Sequence, residues 1–231
     1  MPMRIGNNDL VLEVGSGDMP YPRSDILCDR YLGRTSHRRP NSRLIIDRPM
    51  VIADGERFPF KTKAFDYVIA SHILEHVDHP QQFLAELQRV SSKGYLAFPS
   101  PLLERFYENK PHKWYCRADG KKLTLIKKTT KSMKKWPTTS EAHIFSLVMR
   151  YFSEECQLTF EWSKKIEFTI LDAEPAGFLE TLDRKTHNLM HKVGKMKTPH
   201  PVFLKMKDNL FNVRLKIARS LEGLYWRTTQ R

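Results

Sequence analysis

The sequence lacks the features of a secreted or membrane-spanning protein. No apolar run approaches the roughly 18 residues needed to cross a bilayer, and the N-terminal stretch MPMRIGNNDL has neither the basic nor the apolar region of a signal peptide. The three cysteines, Cys28, Cys116 and Cys156, are far apart and have no CxxC spacing, which argues against a disulfide framework and a zinc site. We therefore expect a cytoplasmic protein without a metal, in which 231 residues form one domain with appendages.

Positive charge is not spread evenly along the chain. The formal net charge is +13, yet residues 1–109 carry equal numbers of basic and acidic side chains. The excess lies in two segments, residues 110–135 with ten basic and one acidic side chain, and residues 184–231 with twelve and two. This pattern indicates either an acidic partner that approaches at two places or two solvated basic segments.

The first hundred residues alternate between short apolar runs and helical patterns. LVLEV, DILCD, MVIAD, FDYVIA and YLAFPS are typical of strands that are buried on both faces of a parallel sheet. Between the last two runs, Phe83, Leu84, Leu87 and Val90 recur at helical spacing, after Pro80. The pattern predicts an α/β doubly wound, Rossmann-like sheet.

A glycine turn ends the first predicted strand, but no helix pattern follows it. Gly15-Ser16-Gly17 precedes Pro20 and Pro22, whereas the dinucleotide-binding fingerprint has a third glycine and an intact helix that holds the pyrophosphate. Acidic or polar residues lie in or after the four successive strands: Glu13, Asp29, Asp54 and the pair Ser71-His72. Such a series at one sheet edge suits a ligand with several hydroxyl or amine donors and no phosphate.

These residues, together with the stretch VIADGERFPFKTKAFDYVIASHILEHVDHPQQFLAELQRV, resemble class I S-adenosylmethionine-dependent methyltransferases, most closely their type 11-like branch. The resemblance covers about residues 10–100 and continues more weakly through HKWYCRADGKKL. It implies a mostly parallel seven-stranded sheet and S-adenosylmethionine as the cofactor. The absent third glycine, where the chain has Met19, is its clearest departure from the family pattern.

The resemblance also implies a role for each residue of the series. Gly15, Ser16 and Gly17 would pass close to the methionine part of the cofactor, with Glu13 beneath that turn. The ribose hydroxyls would bind Asp29, and the adenine would be bordered by Asp54, Gly55 and Glu56. Ser71 and His72 would flank the sulfonium.

The second half predicts the acceptor side and a tail. We expect a methyltransferase domain over residues 1–175, with a basic hairpin insertion at 101–138, and a basic, largely helical extension over 176–231. The aromatic residues of the hairpin, Trp114 and Tyr115, favour either substrate binding or cross-strand packing. CQLTFEW and KIEFTIL are candidates for an antiparallel edge pair of the sheet. Apolar residues between Met206 and Leu224 form one helical stripe, which suits docking on the protein or on an anionic membrane surface.

The resulting hypothesis is methyl transfer to a polar, anionic or sugar-containing acceptor, with O-methylation favoured, in cell-surface glycan or lipid metabolism. A hydroxyl acceptor needs a base, for which His72 and His112 are the candidates, whereas His76 and His79 are assigned to the start of the helix. Two alternatives remain open: a nucleic-acid methyltransferase, and a non-catalytic basic protein that binds nucleic acid. The oligomeric state is not predicted.

Overall fold

The computed structural model describes residues 3–35, 43–106, 111–129, 148 and 152–194. The elements in chain order are β1 (Val11–Val14), β2 (Ile26–Asp29), β3 (Met50–Ile52), β4 (Tyr67–Ser71), α1 (Pro80–Val90), β5 (Lys93–Pro99), α2 (Pro101–Phe106), β6 (Trp114–Asp119), β7 (Lys122–Lys127), α3 (Ser153–Cys156), β8 (Gln157–Ser163), β9 (Glu167–Leu171) and α4 (Phe178–Gly194). The five strands and the helix predicted in the first hundred residues are thereby confirmed.

The main sheet has the order β3-β2-β1-β4-β5-β8, in which the first five strands are parallel and β8 is antiparallel. The chain moves outward from β1 to β3 and then returns to place β4 on the other side of β1. The order of strands therefore reverses between β1 and β4. In α/β sheets, the carboxyl ends of the strands at such a reversal form the ligand crevice.

The α1 helix buries one stripe against this sheet. It begins at Pro80, whose missing N–H is no loss in the first helical turn, and its buried residues are Pro80, Phe83, Leu84, Leu87 and Val90. They join a core cluster with Leu12 and Val14 of β1. The Glu86 carboxylate accepts from the Phe58 N–H, and the Arg89 guanidinium donates to the carbonyls of Phe58 and Phe60. The helix thus fixes the segment that follows β3.

The predicted hairpin is present, but its aromatic residues pack inside the protein. Strands β6 and β7 pair antiparallel around Gly120, which has φ +56°. Trp114 is 6% exposed and Tyr115 is 4% exposed, and the Trp114 indole N–H donates to the carbonyl of Val77 at 2.8 Å. Of the two interpretations of these aromatic residues, the structure supports packing.

The predicted seven-stranded sheet needs a correction within the described residues, where the main sheet has six strands. Strand β8 takes the expected antiparallel place beside β5, but β9 does not pair with β8. It pairs parallel with β7, so that β6, β7 and β9 form a second sheet. The hairpin offers β9 an unpaired strand edge, and Phe168 and Ile170 of β9 pack against the core cluster there.

The C-terminal extension begins with a helix that docks on the hairpin and on α2. Leu182 of α4 packs with Tyr115 and Ile126, while Arg105 of α2 makes two hydrogen bonds to Asp183, at 2.6 and 2.8 Å. The predicted stripe between Met206 and Leu224 lies outside the described residues. In the part of the chain that is described, no helix has the length and apolarity needed to cross a bilayer.

Candidate active site

A cleft of about 400 Å³ opens at the carboxyl ends of β1 and β4, where the strand order reverses. Its volume falls within the range of about 300–1,000 Å³ that is typical of small-molecule sites. All ten predicted cofactor residues line it: Glu13, Gly15, Ser16, Gly17, Asp29, Asp54, Gly55, Glu56, Ser71 and His72. The topology therefore brings together every residue that the resemblance assigned to the cofactor.

The turn after β1 is shaped by two glycines in the left-handed region. Gly15 has φ +70° and Gly17 has φ +55°, conformations that residues with a Cβ rarely adopt. A Cβ on Gly15 would lie 2.0 Å from the Cδ1 atom of Ile73. The hydroxyl of Ser16 is buried, and no hydrogen-bond partner reaches it among the described residues. The turn thus lets a ligand approach the backbone closely, and it places a hydroxyl without a hydrogen-bond partner among the described residues beside the cleft.

The Glu13 side chain holds the segment that follows this turn, in which no helix forms. One of its carboxylate oxygens accepts from the Tyr21 N–H at 2.7 Å and from the Ser24 hydroxyl at 2.6 Å. Burial raises the pKa of Glu13, although these two hydrogen bonds and the charge of Arg48 oppose the increase. Arg48 also donates to the carbonyl of Tyr21 at 2.9 Å. The proline segment is therefore held by side chains that satisfy its backbone groups.

Asp29 is the last residue of β2 and Asp54 follows β3, and the two carboxylates have different partners. Asp29 is 8% exposed, and it accepts from the Tyr31 N–H at 2.9 Å. Asp54 accepts from the Glu56 N–H at 3.0 Å and lies 3.3 Å from the guanidinium of Arg30. Both carboxylates therefore stabilise the turns that follow β2 and β3, and both border the cleft.

Glu56 and Gly55 have structural contacts that sequence reasoning missed. Glu56 accepts from the backbone N–H groups of Asp78 and His79, at 2.7 and 2.8 Å, and pairs with the His79 ring at 2.7 Å. Burial opposes this charge, but the hydrogen bonds from His79 and Asp78 lower the pKa of Glu56. A Cβ on Gly55 would lie 2.7 Å from the Phe83 ring. These residues join the cleft wall to the start of α1.

His72 follows β4 in a strained conformation. Its φ is +57°, which is uncommon for a residue other than glycine, and its N–H donates to the carbonyl of Ala97 at 2.8 Å. The imidazole is 43% exposed, and its Nδ1 atom lies 3.4 Å from a carboxylate oxygen of Glu75. Burial disfavours the charged ring, but the carboxylate of Glu75 outweighs it and raises the pKa of His72. Strain of this kind clusters at functional sites.

His112 does not line the cleft. Its side chain is 9% exposed, its Nδ1 atom bonds to Glu104, and its ring packs edge-on against that of His76 at 4.4 Å. His76 itself does line the cleft, and so do Tyr31 and Lys113, which the sequence did not indicate. The HILEH stretch could have drawn attention to His76. No sequence pattern marks Lys113 as a cleft residue, because it lies just before β6, far along the chain from the other lining residues.

The cleft therefore lies at the switch point of a doubly wound sheet, and among the described residues no helix follows its glycine turn. The methyltransferase domain family matches residues 28–98 of the chain. This match covers less than half of the chain and bears out the resemblance to class I S-adenosylmethionine-dependent methyltransferases, which implies S-adenosylmethionine as the cofactor. No curated protein sequence matches the chain.

Several solved structures are similar to the protein at low sequence identity. The methyltransferase in a complex with the Haloferax volcanii Trm112 methyltransferase activator is 12% identical, with a TM-score of 0.41 over 71% of this chain and 85% of that chain. The PH0226 protein from Pyrococcus horikoshii is 14% identical, with a TM-score of 0.38 over 68% and 82%. A Bacillus halodurans methyltransferase is 16% identical, with a TM-score of 0.36 over 49% and 59%.

Proposed function

We propose that the protein transfers a methyl group from S-adenosylmethionine to the oxygen of a polar, anionic or sugar-containing acceptor. The observation that carries this proposal is the convergence of all ten cofactor residues on one cleft, within a chain that matches the methyltransferase domain. Cell-surface glycan or lipid metabolism is the setting that we propose for such an acceptor.

The cleft suits the cofactor in its polar groups as well as in its volume. Asp29 and Asp54 offer carboxylate oxygens to hydroxyl and amine groups, and the buried hydroxyl of Ser16 has no partner among the described residues. S-adenosylmethionine supplies a methyl group on a sulfonium, whose sulfur keeps the bonding electron pair when the carbon–sulfur bond breaks. The chain's own task is to hold the acceptor in line with that bond, which can lower the barrier by roughly 7–11 kcal/mol.

The acceptor side of the cleft is formed by residues on two segments. His72 and His76 follow β4, and Lys113 precedes β6. Lys113 pairs with Asp78, and its N–H donates to the carbonyl of Glu75 at 2.7 Å, which fixes the start of the hairpin against the cleft. Two imidazoles and one lysine, whose charge is shared with Asp78, support a polar acceptor on this side. The ten basic residues of 110–135 add a positive field on the same segment.

Incubation with cofactor labelled on its methyl group tests the proposal. The full chain is mixed with fractionated small molecules, glycans, lipids or nucleic acids from the source cell, and the labelled product is identified by mass. We expect label in an anionic or sugar-containing fraction. Label confined to nucleic acid, or an absence of product from a chain that binds the cofactor, would contradict the proposed acceptor.

A further inference from the structure

Three potential metal ligands meet behind the acceptor side of the cleft. One carboxylate oxygen of Glu75 and one ring nitrogen from each of His76 and His112 lie within 4.8 Å of one another. Two come from the segment after β4, and the third from the segment before β6. The carbonyl of Glu75 accepts from the N–H groups of Lys113 and Trp114, at 2.7 and 3.3 Å, so the backbone holds the two segments together.

The carboxylate of Glu75 points to a ligand at this position. The side chain is fully buried, and neither of its oxygens has a hydrogen-bond partner among the described residues. The Nδ1 atom of His72 lies 3.4 Å away, beyond the usual hydrogen-bond range of about 2.7–3.2 Å. A buried carboxylate is costly unless it is paired or coordinates a metal. The Glu75 carboxylate therefore needs a positively charged partner, and at this distance His72 meets that need only weakly.

His112 is oriented as metal-binding histidines usually are. Its Nδ1 atom bonds to Glu104, whose other carboxylate oxygen bonds to Lys128. Glu104 is 4% exposed, so this outer pair is itself built into the interior. A carboxylate hydrogen-bonded to one ring nitrogen fixes the orientation of an imidazole, which is the common arrangement of metal-binding histidines.

We propose that Glu75, His76 and His112 bind one divalent transition-metal ion, of which Zn²⁺ is the representative. Two imidazoles and one carboxylate suit zinc in a site that keeps an open position, with bonds of about 2.0–2.2 Å. This proposal departs from the sequence expectation of no metal, which rests on the cysteine spacing and does not consider histidine and carboxylate ligands. Because His76 also lines the cleft, the proposed ion would lie beside it. There the ion would lower the pKa of an acceptor hydroxyl, a role that rests on the proposed function.

Calorimetric titration with Zn²⁺ tests the site in the untagged full chain after treatment with a chelator. We expect about one ion per chain in the wild-type protein. Glu75→Gln and His76→Ala should each weaken Zn²⁺ binding at least tenfold. The matched control is His187→Ala, because His187 is exposed on α4 and is not part of the cluster. Thermal unfolding provides a second measurement, in which Zn²⁺ should raise the Tm of wild-type protein and the control but not of the two ligand variants.

The outcomes separate this site from the cofactor site. Wild-type protein that binds S-adenosylmethionine but not Zn²⁺ would overturn the metal site and leave the proposed function intact. The same holds for equal Zn²⁺ affinity in folded wild-type protein and both ligand variants. Stoichiometric Zn²⁺ binding that the variants lose would support the metal site even if no methyl transfer were found.

Discussion

The Gly15→Ala variant tests whether the glycine turn shapes the cleft. Gly15 has φ +70°, and an added methyl group would lie 2.0 Å from Cδ1 and 2.6 Å from Cγ1 of Ile73. The left-handed conformation costs an alanine about 1–2 kcal/mol, and displacement of a packed side chain costs about 1–3 kcal/mol. We therefore expect Gly15→Ala to lower the free energy of unfolding by about 2–5 kcal/mol. Because Gly15 and Ile73 both line the cleft, it should also weaken cofactor binding.

Two comparisons isolate the packing part of this effect. Gly17→Ala shares the backbone strain, with φ +55°, but the nearest atom to its Cβ would be a carbonyl oxygen 3.9 Å away. It should cost only about 1–2 kcal/mol. Ile73→Ala removes the two clashing carbons, so a double-mutant cycle with Gly15→Ala should show a favourable coupling of about 1–3 kcal/mol. Urea unfolding measures both. Equal costs for the two glycine variants, together with zero coupling, would refute the reasoning.

Three further predictions concern other parts of the protein. As the proposed base, His72 should be replaceable by Asn, which tolerates positive φ, only with a loss of turnover of at least tenfold. Cofactor affinity by calorimetry should stay within about threefold, because a base acts on the acceptor in the transition state. A matching loss of affinity would contradict the role of a base. Glu86→Gln should destabilise the protein by about 1 kcal/mol at pH 7. The hydrogen bond to Arg89 lowers the pKa of Glu86 from 4.5, so the stabilisation by the carboxylate is present above pH 4.5 and is lost as the pH falls through the folded-state pKa. Urea unfolding of wild-type and variant protein across this range should show that the difference in unfolding free energy disappears at low pH. A difference that does not change with pH would contradict this prediction. A chain that ends at Pro199 should sediment less with anionic vesicles at low salt than the full chain does, and equal sedimentation would contradict the proposed membrane contact.

The first half of the fold was predictable because its signals are local. Apolar runs such as LVLEV are short, rich in β-branched residues and followed by turn residues, which favours buried strands, and Pro80 with the α1 stripe marks a helix. The resemblance assigned residues in or after these strands to the cofactor, and parallel strands that end at one edge explain why all of them line one cleft. The five strands and the helix predicted in this part are present.

The second half depended on contacts between distant segments. KIEFTIL has the pattern of a strand, but its pattern does not say whether β8 or β7 is its neighbour, and the free edge of the hairpin decided the pairing. Glu75 and Glu104 have no local sequence signal that sets them apart from other acidic residues. Their burial follows from the packing of the hairpin and α2 against the end of β4, which no local spacing records.

Titration of the full chain with S-adenosylmethionine in a calorimeter tests the central claim most directly. We expect micromolar binding by the wild-type protein. Asp29→Asn should weaken it by about 1–3 kcal/mol, because the amide keeps an oxygen for the Tyr31 N–H but loses the charge that accepts from a hydroxyl. Asp172→Asn, an exposed change outside the cleft, should leave the affinity unchanged. Equal affinity in folded Asp29→Asn and wild-type protein, or no binding by the wild-type protein, would contradict the account.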